Sequence, residues 1–347
     1  MNYRYSTGLS NMGPFQVSGR PWLKSESFTG VQSAFYEFPN VTDYIKITND
    51  IAAAGTGNLD IVFCEPRRGL QMANAGANPA TRYSASGFSL TDFSISLWIK
   101  IIDLEVTKFF EMDTAGGSAF RFQIHDLTPH QTRFFVDGTA AIETTVPFVA
   151  GEYYNIVATF SSGNSNLYIN GALHKQNTTT YTDPVVDITL GSTATNGFDG
   201  VYEQVIVFNK NLTESEVANV YSASEVVSNL DPTIQASIVA RYEFEDNAYK
   251  TFFPVADTTA TIQDRAGSFN LSRSSSSTEA FVDGRALVNA LERHKITLTG
   301  QEEVRLNCKS KQVFLRSTGN TDVNICAGLT SIPAQRMYEL SGTGIDE

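Results

Sequence analysis

Apolar residues recur at every second position in short runs across the middle of the chain, from about Phe88 to Tyr221. In FSISLWIKI, Phe93, Ile95, Leu97, Ile99 and Ile101 fall on one face and Ser94, Ser96, Trp98 and Lys100 on the other, the period of a strand with one dry side. The same period appears in Phe120, Phe122 and Ile124, in Ile156, Ala158 and Phe160, and in Val186, Ile188 and Leu190. Asp137-Gly138 and Asn170-Gly171 supply residues that tolerate positive φ in tight hairpin turns. One stretch, NLTESEVANVY, has a helical period instead. Thr213 and Glu216 stand at capping-box spacing, Leu212 can staple onto Val217, and Val217, Val220 and Tyr221 share a face. This helix is expected to close one end of a sandwich.

The ends of the chain alternate too, in shorter pieces. Residues 31–63 hold VQSAFYEF, DYIKIT with Ile45 and Ile47, and LDIVF with Leu59, Ile61 and Phe63; residues 294–326 hold HKITLTG, EVRLNCK, QVFLRS and DVNICAG. Neither end has enough strands for a stable sandwich, but together they make about seven, the usual complement of a compact one. The fold expected is all-β, with a jelly-roll sandwich inserted into a smaller β-sandwich made from both chain ends. The expected divisions are an extended N-terminal arm (1–30), a terminal sandwich (31–65 and 291–326), the inserted sandwich (66–290) and an extended C-terminal tail (327–347). Both tails lack strand or helix period, yet carry Tyr3, Tyr5, Phe15, Trp22, Leu329, Ile332, Met337, Tyr338 and Leu340, which purely solvated tails usually lack. They are expected to pack on neighbouring subunits or shell proteins.

Length and composition fit this picture. A chain of 347 residues suits about two domains of roughly 100–200 residues each, and 18% charged residues, below the usual ~25%, favours strands and turns. The net charge of −12 leaves no source for the phosphate neutralisation that nucleic-acid binding needs. Cys64, Cys308 and Cys326 are odd in number and lack zinc-like spacing, which argues against both a disulfide scaffold and a zinc site. Neither a signal-peptide pattern nor a run of about 20 apolar residues is present, so synthesis in a reducing cytoplasm and no membrane association are expected.

The succession FSISLWIK, EYYNIVATFSSGNSNLYINGALHK and ITLGSTATNGFDGVYEQVIVFNKNLTESEVANVY resembles the laminin-G-like branch of the concanavalin A-type lectin domains. IVARYEFEDNAYKTFFPVADTTATIQDRAGSFNLS resembles the strand and turn that usually open such domains; placed after the helix, it is expected to complete the same sandwich. The two ends, with YRYSTGLSNMGPFQVSGRPW, FPNVTDYIKITN, LDIVF and VFLRSTGNTDVNICAGLTSIPAQRMYELSGTGIDE, resemble structural proteins of tailed bacteriophages, particularly marine ones. That resemblance implies a place on the outside of a virion, with other virion proteins and copies of the same chain as partners.

Concanavalin A-type folds include glucanases, whose paired carboxylates stand about 5–5.5 Å apart in retaining enzymes. The nearest match is Glu243 with Glu245; Ala248 occupies the third acidic position, and alternation with Ala240, Tyr242 and Phe244 makes these glutamates a solvated strand face. His125, His130, His174 and His294 are scattered and show no ligand pairing. The resemblance implies a calcium site at the rim, where an acidic pair aligns with Glu203-Gln204 and Asp199 lies just before; the glutamine weakens the site. Asp199 and Glu203 are therefore the candidate calcium ligands, and no other cofactor is expected. Trp98, Tyr153, Tyr168 and Tyr181 are potential sugar platforms, each with a competing structural role, so no sugar site is assigned. The leading expectation is a non-enzymatic virion surface protein displaying a lectin-like domain for glycan or host-surface adhesion. The rivals are a purely structural decoration or cementing protein and a carbohydrate-active enzyme.

Overall fold

A computed structural model describes residues 20–51, 57–63, 68–72, 82–104, 107–116, 119–125, 131–136, 139–145, 148–178, 180, 183–191, 198–224, 227–244, 261–273, 280–283 and 294–337. Cys64, Asp137-Gly138, His130, Tyr181, Glu245, Ala248, the arm before residue 20, the tail after residue 337 and the side chains of Ile124 and His125 lie outside the described residues. In chain order the strands are β1 (Arg20–Phe28), β2 (Val31–Glu37), β3 (Asn40–Asn49), β4 (Leu59–Val62), β5 (Arg68–Met72), β6 (Arg82–Leu90), β7 (Phe93–Ile101), β8 (Thr107–Thr114), β9 (Ala119–His125), β10 (Gln131–Val136), β11 (Thr139–Thr145) and β12 (Tyr153–Ser161). They continue with β13 (Asn164–Ile169), β14 (Ala172–Asn177), β15 (Val185–Gly191), β16 (Gly200–Phe208), β17 (Ile238–Glu243), β18 (Thr261–Ile262), β19 (Leu271–Arg273), β20 (Ala280–Asp283), β21 (Ile296–Leu298), β22 (Glu303–Leu306), β23 (Gln312–Thr318) and β24 (Thr321–Pro333). Helices α1 (Glu214–Ser222) and α2 (Pro232–Gln235) fall between β16 and β17.

The described residues of Met1–Pro66 and Ala286–Glu347 form one compact unit, and those of Arg67–Asp246 and Val255–Arg285 another. In the first, two antiparallel sheets, β1-β24-β3-β22 and β2-β23-β4-β21, each combine strands from both chain ends. Ile45, Ile47, Leu59, Ile61, Val313, Leu315, Val323 and Ile325 fill their common core. The sequence reading places residues 20–28 in an extended arm, but they form β1, paired with β24 from Arg20↔Leu329 to Phe28↔Thr321. Strand period is hidden there because only Trp22 and Phe28 turn apolar side chains to the core, Trp22 edge-on to Phe38 at 5.0 Å. Residues 327–333, placed in the tail, likewise continue β24.

The second unit is a sandwich of two large antiparallel sheets. One runs β11-β10-β9-β8-β15-β6-β19-β18; the other runs β14-β13-β12-β7-β16-β5-β20, with β17 also pairing with β16. Between them lie the inward rows expected from alternation, including Phe93, Ile95, Leu97, Ile99, Phe120, Phe122, Ile156, Ala158, Phe160, Ile188 and Leu190. The stretch after the helices completes this sandwich: β17 and β20 join one sheet, and β18 and β19 the other. Asn170 and Gly171 take φ of 51° and 77° in the β13–β14 hairpin. In β15 the register slips between Val185 and Asp187 against both neighbours. This bulge makes Val185, rather than the expected Val186, the buried residue.

The helices depart from expectation in position. Thr213 caps α1 through a complete capping box with Glu216, and α1 and α2 lie on the outer face of the β7-containing sheet instead of closing an end. Leu212, Val217, Val220, Leu230 and Ile234 form a further core there with Val157, Tyr168, Ile206 and Phe208. Burying each large aliphatic side chain is worth roughly 1.5–3 kcal/mol. The outer face of β7 is dry as well, and its Ser94 is built into the attachment. Ser94 Oγ donates to the Lys210 carbonyl at 2.7 Å and accepts from the Leu212 amide at 2.9 Å.

Candidate functional site

The outer face of the other large sheet bears a cleft of about 540 Å³. Its floor comes from outward positions of four adjoining strands: Ser84 and Ser86 on β6, Asp113 on β8, Asp187 and Thr189 on β15, and Ser272 on β19. Their inward neighbours Met112, Ile188 and Ala85 are buried in the core, so alternation alone drives these polar residues outward. Asp187 stands directly opposite Asp113 on one side and Ser86 on the other. Such facing side chains have Cβ atoms about 4.5–5.5 Å apart. The bulge in β15 sets this row, and Gly87, at φ of 96°, lets β6 adopt the conformation that accompanies it.

One wall is the turn that carries Phe269 and Asn270. Asp264 holds it: Oδ1 accepts from the backbone amides of Arg241 and Ala266, both at 2.9 Å, and Oδ2 from that of Phe269 at 3.1 Å. The Asn270 side-chain oxygen accepts from the Asp264 amide at 2.9 Å, and the Tyr242 hydroxyl donates to the Phe269 carbonyl at 2.6 Å. Burial, reinforced by the Asp264 charge, pushes the Tyr242 hydroxyl far above its usual range, so it remains a donor. A Cβ on Gly267 would meet Asp264 Oδ2 and the Val239 carbonyl at 3.0 Å, so the turn is tight as well as bonded. Phe269 stacks on Phe88 with ring centroids 4.2 Å apart. The half-buried ring is thereby set at the wall before any ligand arrives.

This arrangement supplies two carboxylates, several hydroxyls, a side-chain amide and an aromatic ring on a rigid support. It is suited to a ligand with many hydroxyls, since carboxylates accept strongly from O–H donors and a ring packs on apolar C–H faces. None of these residues carries a family signature. The alternation in DITL does put Asp187 on an outer face, but the strand pairing that joins it to Asp113 and Ser86 is long-range.

The expected site residues lie elsewhere. Asp199 is half-buried before β16, its carbonyl accepting from the Ile102 and Asp103 amides at 3.0 and 3.3 Å. Burial and the nearby Asp103 charge raise its carboxyl above the usual range. Glu203 is buried at a register slip in β16, between Tyr202 and Gln204. Its neighbour Gln204 donates to Glu243 Oε1 at 3.3 Å, and Arg241 Nε lies 3.5 Å from the same oxygen. Glu243 is thus held within a polar network, while Ala240, Tyr242 and Phe244 turn inward as expected. Among the described residues no three His, Cys, Asp or Glu side chains gather in a way that could hold a metal ion.

Trp98 is buried and stacks on Tyr221 with centroids 5.7 Å apart. Tyr168 is buried beneath the helical layer, and Lys100 Nζ sits 5.3 Å over the Tyr153 ring. His174 and His294 are exposed and far apart in sequence.

No curated protein matches the chain. Among solved structures it is similar to a heptameric SAP-like pentraxin from Limulus polyphemus, with 10% identity, 76% of this chain and 94% of that chain covered and a TM-score of 0.36. It is similar to a candidate carbohydrate binding protein from Bacteroides ovatus, with 11% identity, coverage of 82% and 93% and a TM-score of 0.44. A sialidase from Trypanosoma rangeli overlaps in part, with 13% identity, coverage of 53% and 33% and a TM-score of 0.35. The family model Laminin G 3, of the concanavalin A-like lectin/glucanases superfamily, matches residues 75–218. The matched residues lie within the larger unit, whose two stacked antiparallel sheets form a concanavalin A-like sandwich.

Proposed function

We propose that the larger unit is a non-enzymatic glycan-binding domain and that the cleft over β8, β15 and β6 is its binding face. The observation that carries this reading is the row Ser86–Asp187–Asp113 beside the fixed ring of Phe269. It offers strong acceptors and a packing surface for sugar hydroxyls and C–H faces. The lectin-like fold supports it. Glycan-array binding by the full chain, lost on Asp113→Ala, is the expected result; a folded Asp113→Ala variant with the same array pattern sinks the assignment.

In the same reading the unit built from both chain ends fixes the protein to the outside of a phage particle, and many copies turn weak single contacts into adhesion. This part rests on the resemblance of the chain ends to phage structural proteins. Locating the chain in an electron-microscopy map of the particle tests it. A purely structural decoration protein predicts no array signal at all. A carbohydrate-active enzyme predicts turnover of glucans that Glu243→Gln abolishes.

A further inference from the structure

We infer that the terminal unit self-associates through its β1 edge: a second copy of this chain adds its own β1 antiparallel to the first, with Ser25 opposite Ser25. Each sheet of this unit has one long and one short outer strand. The long ones, β1 of nine residues and β2 of seven, lie together, with the Trp22 and Tyr36 rings 6.0 Å apart; the short ones, β22 and β21, have four and three. Among the described residues β1 pairs with β24 alone, and that pairing runs from Arg20 to Phe28 without a slip. Its other side therefore presents a straight row of main-chain donors and acceptors, the template on which a further strand adds. The two most exposed large apolar side chains of the described residues are at this edge, Leu23 on β1 at 70% and Val31 at the start of β2 at 64%. Trp22 beside them is only half-buried.

The charge order of β1 names the occupant as a second copy. A twofold axis at Ser25 sets Lys24 of each copy opposite Glu26 of the other, Leu23 opposite Ser27 and Trp22 opposite Phe28, the reciprocal contacts of an isologous interface. Pro21, which cannot donate, then falls beyond the shared run. Neighbouring registers are worse. A slip of one residue turns the core-facing row of one copy against the solvent-facing row of the other. A slip of two sets Lys24 on Lys24 in one direction and Glu26 on Glu26 in the other, and like charges directly opposite are destabilising. Lys24 Nζ lies 3.5 Å from Glu26 Oε2 of its own strand, and Glu26 also accepts from the Tyr36 hydroxyl. The carboxylate is thus fixed at the edge before a partner arrives.

The test uses the full chain in light scattering coupled to size exclusion, over a range of concentrations. A reversible dimer is expected. Lys24→Glu should raise its dissociation constant at least tenfold, and Lys24→Glu combined with Glu26→Lys should restore it. Directly opposed residues of an antiparallel pair have Cα atoms about 4.5–5.5 Å apart, within the roughly 4.4–6.8 Å that a disulfide spans. Ser25→Cys should therefore cross-link into a covalent dimer under mild oxidation, while the parent chain, with Cys64, Cys308 and Cys326 only, does not. A monomer at the highest soluble concentration overturns the inference, as does an assembly of another order. A dimer that Lys24→Glu leaves intact, or one in which Ser25→Cys fails to cross-link, overturns it as well.

Discussion

The two large sheets of the lectin-like unit present outer faces with opposite fates. On one, Ser94, Ser96, Asn155 and Thr159 are buried beside the helical layer of α1 and α2. On the other, Ser86, Asp113 and Ser272 remain exposed around a cleft. Both faces are written in the same alternation of apolar and polar positions. What separates them is the return of a capped helix onto one sheet, secured by Ser94 and Leu212. That face is committed to stability, and on the proposed reading the opposite sheet is the one that meets a ligand.

Substitutions on the two faces should therefore report on different properties. The largest effect is expected from Ile206→Ala beneath the helices, which should lower unfolding free energy by about 2–5 kcal/mol in denaturant titration. Glycan binding measured well below the transition should persist in that variant. Next, Asp113→Ala in the cleft should weaken binding by about 1.5–3 kcal/mol, a tenfold to hundredfold rise in Kd.

The smallest effect is a pH dependence confined to the helical face. Burial alone would raise the Glu216 carboxyl, but hydrogen bonds from Lys210 and Thr213 outweigh it and hold the group below its ordinary value of 4.5. Because the folded value lies below the unfolded one, this stabilisation is full above pH 4.5 and is lost as pH falls through the folded value. Thermal unfolding of Glu216→Gln should be flatter than the parent across that acid range and less stable at neutral pH.

Much of the fold was legible because alternation reports directly on a core. The inward row of β7, the capping box at Thr213 and the Asn170-Gly171 turn follow from local chemistry, whereas the use of residues beyond 238 to complete the sandwich follows from the resemblance to lectin-type domains. Three features were not legible. Period shows that a strand has one dry face but is silent on whether something later covers the other, so Ser94 and Trp98 were placed only on the side opposite the dry one. Bulges shift the period by one residue, which exchanged Val186 for Val185. The cleft was missed because Asp113, Asp187, Ser86 and Phe269 meet only through pairings between distant strands; no motif spans them.

The first and last strands of the larger unit, β5 and β20, are paired with each other from Arg68↔Asp283 to Gln71↔Ala280. Its entrance and exit are thus stitched together, so once it has folded the outer sandwich no longer has to close a loop of more than two hundred residues. Each halving of effective loop length recovers about 0.6 kcal/mol of closure entropy. An early-folding insert would in this way hasten the marriage of the two chain ends, and a lectin-like cassette with similarly joined termini could be exchanged for this one at little topological cost.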